Sequence, residues 1–262
     1  MGWKYVSIEK TGRIAVVRFD RDDNVNAMSR ALMRELLEAA RSFEDDTETS
    51  AVILTGAGKN FTLGADLKDP AAQADAGLAE RRKMQQLGPK LCRAWEEIEP
   101  MTFCAIEGWC VGGGGALAVA TDIRIMGESA RLYVPEIERG MNMSWQSVPR
   151  FVNLVGPARA KRIVVMAEKI DAARALDWGF ADEVVADGRT FDKAMEMAER
   201  VATLPPVQVR MCKQDVNAAA HALNHAVSHM DFDQFMLAQS SEDYAEGVQS
   251  FLEKRPPRYT GR

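Results

Sequence analysis

The sequence predicts an α/β core followed by a helical tail, and three observations carry that prediction. Short strand-like runs recur ahead of helical stretches over the first two hundred or so residues. Two of these runs lead into glycine-containing corners, FTLGADL at 61–67 and CVGGGG at 110–115. After Pro205-Pro206 the pattern is helical to about Leu252, with breaks expected near 239–241 and at Gly247. Strands alternating with helices point to an α/β arrangement, and helices alone to an appendage. The expected division is a core at 1–204 and a helical region at 205–262.

The elements follow in order. Residues 5–9 and 14–19 flank Lys10-Thr11-Gly12-Arg13 and read as a hairpin. A polar run, DRDDNVNAM, then leads to Ser29, a good N-cap for a helix with an apolar face through Leu32, Leu36 and Ala40. AVILT at 51–55 is a buried strand. Residues 69–88 show little apolar periodicity and suit a mobile surface helix or loop; helical pattern resumes at 91–98 and Pro100 stops it. DIRIM at 122–126 is a strand, and a strong helix covers 158–167. Asp171 caps a short helix that Gly179 ends, a short strand covers 182–185, and 191–202 is an amphipathic helix.

Composition narrows the function classes. The chain has 262 residues, 47% of them hydrophobic, which is ample for a core. A net charge of −5 argues against general nucleic-acid binding, so an anionic ligand would need local cations and backbone donors. Cys92, Cys104, Cys110 and Cys212 form no CxxC pair and no metal-like spacing; reduced thiols in a cytoplasmic protein are the plain reading. No apolar run is long enough to span a bilayer.

The chain is organised around 102–121, TFCAIEGWCVGGGGALAVAT: strand, turn at Gly108, glycine corner, small-residue helix. A helix start leaves N–H groups without intrahelical partners and is partly positive. Glycines let another group approach that backbone closely. The corner therefore suits an anion, or an oxygen that becomes negative during reaction. A tight packing corner without ligand has the same composition. It is neither a Walker loop, lacking GK[ST], nor a GxGxxG dinucleotide loop. If the strands before the two corners are neighbours, their N–H groups can converge on one oxygen, as a thioester carbonyl needs on becoming an enolate. VPEI at 134–137 adds an acid among apolar neighbours. Such surroundings raise a carboxyl pKa toward the range of a neutral-pH proton carrier, although a paired or exposed Glu136 would look the same in sequence.

At this point the chain resembles the crotonase superfamily, the enoyl-CoA hydratase and isomerase family. The resemblance runs from about Val6 to Tyr259 on FDRDDNVNAM (19–28), AVILTGAGKNFTLGADLKD (51–69), AIEGWCVGGGGALAVATDIRI (105–125), PEIERG (135–140) and FLEKRPPRY (251–259), five pieces in the family's order. It implies a crotonase-like spiral of strand–strand–helix turns with a helical C-terminal trimerisation region. It implies an acyl-CoA substrate bound in a bent pose, a homotrimer or dimer of trimers, no membrane partner, no metal, and no cofactor beyond the coenzyme A of the substrate. The N–H groups of Ala65 and Gly113 match the two oxyanion donors, with Gly112 beside them, and Glu136 matches the catalytic acid. Asn24, Asn26 and Ala27, with Gly64, Asp66, Leu67 and Lys68, match the adenine-binding stretches. Lys68 and Lys254 match basic positions near the phosphates, and Asp66 is usually structural. Trp145 is expected equally as pocket wall or as core, and Trp109, beside the glycine block, can line the pocket although aromatics at such corners are more often core.

Two departures matter. Hydratases of the family carry a first glutamate just after the glycine block, where this chain has Ala116. Isomerases need one carboxylate, which takes a proton at one carbon and returns it at another. Double-bond isomerisation is therefore favoured over hydration with one carboxylate, or with water held by Asn142 or Ser144. A non-catalytic homologue binding CoA or a partner is the alternative of another class. The second departure is MNMSWQSVP at 141–149, where hydratases commonly have a glycine-rich turn. Ser144 also stands where dehalogenating relatives carry a nucleophilic aspartate, which argues against that reaction. Glu107 is expected to be structural and Glu138 to form an exposed ion pair with Arg139. His221, His225 and His229 recur every four residues along one expected helix, where a subunit contact or solvent face outweighs a metal site.

Overall fold

The computed structural model describes residues 2–69 and 76–262. β1 (Val6–Thr11) and β2 (Ile14–Phe19) form the expected antiparallel hairpin. β3 (Ala51–Gly56) and β4 (Met101–Ile106) then add in parallel. At Gly108 the chain turns out of this sheet into β5 (Trp109–Val111) of a second, smaller one. β6 (Ile123–Gly127) returns to the first sheet, and β7 (Arg131–Tyr133) and β8 (Ile170–Asp171) complete the second. β9 (Glu183–Val185) closes the larger sheet, whose order is β1-β2-β3-β4-β6-β9. The chain thus alternates between two sheets as it advances, which is the expected spiral of strand–strand–helix turns.

The central strands are continuous apolar runs because both their faces are covered. On one side Leu36 of α1 (Arg30–Arg41), Trp95 of α3 (Leu87–Glu96) and Leu117 of α4 (Gly113–Ala118) share a core with Val52 and Leu54. α1 starts as read, with Ser29 accepting from the N–H of Leu32 at 3.3 Å. α2 (Leu78–Gln85) is a surface helix with no buried residue; the part of the expected 69–88 surface segment at 70–75 lies outside the described residues. On the other side Ala194 and Ala198 of the helix Thr190–Ala202 pack on Ile53, Phe103 and Ile125. Between these lie α5 (Ser147–Val164), kinked at Gly156, and α6 (Ala172–Trp178), capped by Asp171 and ended by Gly179. The Thr190–Ala202 helix is α7.

The tail consists of α8 (Pro206–His221), α9 (Asn224–Ser228), α10 (Asp231–Gln239) and α11 (Glu242–Glu253). The expected break at 239–241 is present, but Gly247 lies within α11. It is a glycine because α11 packs on the turn at 136–139: a Cβ there would stand 2.4 Å from the Arg139 carbonyl carbon. The chain breaks instead at 222–223 and 229–230, so the three histidines share no helix. His221 Nδ1 lies 2.7 Å from Glu96, and His225 Nδ1 2.9 Å from Arg93. Glu107 is structural as expected, accepting from Gly188 N–H, Thr190 N–H and Thr190 O–H at the start of α7. No described helix is long and apolar enough to cross a membrane.

Candidate active site

The two glycine corners meet. Parallel pairing of β3 with β4 carries them to the same end of the sheet. There Thr62 N–H donates to Trp109 O at 2.9 Å, and Val111 N–H donates to Thr62 O at 3.0 Å. Ala65 is fixed from the other side by a parallel bridge to Met28. Ala65 and Gly113 consequently line one cavity of about 270 Å³. Gly113 is the first residue of α4, so its N–H has no intrahelical acceptor. Among the described residues neither that N–H nor the N–H of Ala65 has a backbone or side-chain acceptor.

Glu136 opens a 3-10 turn, Glu136–Arg139, which Gly140 ends in the left-handed region. The fold sets its carboxyl directly on Gly112. That glycine has φ 55° and ψ −115°, and a Cβ on it would stand 2.5 Å from Glu136 Oε1. Glycine is required there on both counts. Glu136 Oε2 is buried without a hydrogen-bond partner. Burial pushes the carboxyl up to about 7, opposed by its own backbone N–H and the charge of Arg139. The other acids on the cavity wall are engaged. Asp66 pairs with Arg21 at 2.9 Å, and Asp69 accepts from the N–H of Arg30 at 2.7 Å. Ala116 is fully buried and stands outside the described lining of the cavity.

A second hollow, an open groove of about 690 Å³, adjoins the cavity. The two share Ala65, Asp66, Leu67, Glu136 and Met141, so the acid stands at their junction. Ala27, Gly64, Lys68 and Gly112 line the groove. Arg21 and Arg139 line it too, which sequence reading missed, and with Lys68 they give it three cations. Trp145 lines the inner cavity.

Four anticipated contact residues stand outside the described lining of both hollows. Asn26 is fully buried because its amide ties the loop together: it accepts from Arg21 N–H and donates to Ala57 O and Asn60 O. Asn24 is exposed, its carbonyl taken by Asn60. Trp109 sits at the far end of β5, edge-on to Tyr133 with ring centroids 6.3 Å apart. Lys254 is exposed at the left-handed cap of α11. Glu138 bonds the phenol of Tyr133 rather than Arg139, whose guanidinium stacks 4.2 Å over Phe251.

Sequence reading also missed most of the inner wall. It is built from Met28, Met33 and Met84 with Arg30, Gln239 and Tyr244, brought in by α1, α2, α10 and α11. Nothing local marks these residues, because only tertiary packing gathers four helices around one space.

A family model described as enoyl-CoA hydratase/isomerase matches residues 9–262. The short-chain-enoyl-CoA hydratase of Clostridium acetobutylicum is 33% identical over 251 residues, 95% of each chain. The 1,2-epoxyphenylacetyl-CoA isomerase of Escherichia coli is 29% identical over 254 residues, again 95% of each. The crystal structure of carnitinyl-CoA hydratase from Mycobacterium avium superposes with a TM-score of 0.86 at 31% identity, covering 98% of this chain and 99% of that one.

Proposed function

Because the chain belongs to the enoyl-CoA hydratase/isomerase family, we propose that Glu136 moves a proton on an acyl-CoA whose thioester oxygen is held by the N–H groups of Ala65 and Gly113. That the chain is an enzyme of the hydratase/isomerase type follows from the family match and its relatives. The reaction proposed is a double-bond shift. The carboxylate of Glu136 takes a proton from C2 of a 3-enoyl thioester, and the electrons pass to the carbonyl oxygen as a dienolate. The two N–H groups stabilise that oxyanion as its charge develops. The carboxylic acid so formed returns its proton to C4, leaving the double bond conjugated. Glu136 thus ends as it began, and no redox group or metal is called for. Coenzyme A arrives with the substrate, its anionic portion in the groove beside Lys68 and Arg139, Arg21 being paired with Asp66.

One observation carries this reading: among the described residues of the cavity wall Glu136 alone has a carboxyl oxygen buried without a partner, while Ala116, which the resemblance sets at the first-glutamate position, is a buried methyl group. A pair of acids would be expected for water addition; a single shuttling acid suffices for isomerisation. Hydration is the second reading, favoured by Asn142, whose Oδ1 is buried without a partner on the same wall and could seat a water. The experiment is to supply 3-enoyl-CoA and 2-enoyl-CoA separately. Conversion of the first into the second is expected. Rapid water addition to the 2-enoyl thioester without any 3-to-2 conversion would select hydration.

A homotrimer, or a dimer of trimers, is proposed with it. Val207, Met211 and Val216 of α8 and Val227 of α9 are exposed apolar side chains that a subunit contact would cover. A mass by light scattering equal to that of one chain would exclude it.

A further inference from the structure

On the footing of the acyl-CoA reading above, we propose that the inner cavity selects acyl groups bearing a neutral oxygen function, a hydroxyl or a carbonyl, beyond the reacting carbons. Three side-chain atoms of this one cavity's wall are buried without hydrogen-bond partners: Glu136 Oε2, Arg30 Nε and Asn142 Oδ1. The proton shift accounts for the first. Arg30 and Asn142 line the cavity but not the groove, so they stand on the acyl side of the junction that Ala65 and Glu136 mark.

Each offers one open hydrogen-bonding position. Arg30 uses Nη1 on the carbonyl of Met84 at 3.3 Å, which leaves the Nε N–H as a donor. Asn142 directs Nδ2 to Met143 O at 3.5 Å, which leaves Oδ1 as an acceptor. A polar chain on the same wall adds a further donor. Gln85 donates to Gln239 at 3.2 Å and Gln239 to the Tyr244 oxygen at 3.4 Å, so the phenol proton has no acceptor among the described residues. A plain alkyl chain would displace water from these groups and pair with none of them. A hydroxyl both accepts and donates, and a carbonyl accepts.

Charge separates a neutral oxygen from a carboxylate. Asp66, Asp69 and Glu136 line the same cavity, and Asp69 already stabilises the cation of Arg30. Asp66 is likewise matched to Arg21 at 2.9 Å. Among the described residues the wall therefore has no surplus cation for another anion, and an acyl carboxylate would face carboxyl groups at close range.

The test is calorimetric binding of hexanoyl-, ω-hydroxyhexanoyl- and adipoyl-CoA, which needs no turnover. The hydroxylated thioester is expected to bind about tenfold or more tighter than the alkyl one, as sites built for a polar group discriminate strongly against analogues lacking it. In Arg30→Met and in Asn142→Leu that ratio should fall toward one. Equal or tighter binding of hexanoyl-CoA by the wild-type protein would overturn the proposal, as would adipoyl-CoA binding tightest or a ratio unchanged in both variants. Failure of all three thioesters to bind would instead bring down the acyl-CoA reading on which the proposal rests.

Discussion

The six-membered ring of Trp145 lies directly on Gly113: a Cβ on that glycine would stand 2.6 Å from Cη2 and 2.8 Å from Cζ3. The pyrrole edge of the same indole lies on Gly88, where a Cβ would meet Nε1 at 2.2 Å. The tryptophan is thus wedged between α3 and the start of α4, and its ring forms the wall beside the proposed oxyanion donor. One bulky residue accounts for two glycines on two different elements.

The first prediction follows from this wedge. Gly88→Ala should lower stability by about 1–3 kcal/mol, since the added methyl would stand 2.2 Å from the indole and force it out of its place against Gly113. In a Trp145→Ala background the same change should be nearly neutral. Urea denaturation of the four proteins of the cycle measures the coupling directly. Additive losses would show that Gly88 is needed for some other reason.

The wedge is itself held in an uncommon backbone shape. Trp145 and Gln146 have φ 64° and 56°, adjacent left-handed positions that non-glycine residues rarely adopt. Asp231 accepts from the N–H of Gln146, and Arg150 donates to Gln146 O at 2.7 Å. Arg150, itself buried, also grips the part-buried Glu96 through Nε and Nη2 at 2.9 and 2.7 Å. Arg150→Met should therefore cost about 1–3 kcal/mol, because it leaves the part-buried Glu96 with His221 alone and the Gln146 carbonyl without its donor. It should also lower kcat/KM under conditions where the variant is fully folded, through loss of the Trp145 position. Wild-type kcat/KM in the folded variant would show that the turn holds its shape without the guanidinium.

These relationships mark what could and could not be read in advance. The hairpin at Gly12, the caps at Ser29 and Asp171 and the two glycine corners were legible because each is decided within a few residues. Glu136 was legible as a candidate for the same reason, lying among apolar neighbours next to a proline. The role of Asn26 was not, because its amide bonds residues 31 and 34 positions away. The break before α10 escaped notice because Asp231 serves the N–H of Gln146, 85 positions back. Gly247 looked like a helix breaker, yet its missing side chain makes room for Arg139. Nothing local marks Arg30, and only the approach of α2, whose Met84 carbonyl it bonds, gives its side chain a cavity to face.

Catalysis should follow the ionisation of Glu136. As a base it must be charged, and burial holds its pKa up at about 7. For a 3-enoyl thioester, kcat/KM should rise about tenfold per pH unit well below that value and level off above it. Glu136→Gln, which keeps the shape and loses the proton acceptor, should lower kcat/KM by about two to four orders of magnitude. A profile flat across neutral pH would show that another group carries the proton.

The same shift has a consequence for stability of opposite direction. The carboxyl moves from an ordinary 4.5 to about 7 on folding. Between those values the folded chain holds the proton more tightly than the unfolded chain does, so raising the pH through that window favours unfolding. Below it both states are protonated and nothing is lost; above it the full penalty of a buried charge applies, on the order of 3 kcal/mol. Glu136→Gln removes the ionisation, so the variant should match the wild type below about pH 4.5, gain on it progressively as the pH climbs toward 7, and keep a constant lead above that. Denaturant midpoints taken across that range measure the gap. A gap that stays constant with pH, or a variant that is the weaker protein in alkali, would place the charge of Glu136 in water rather than against Gly112.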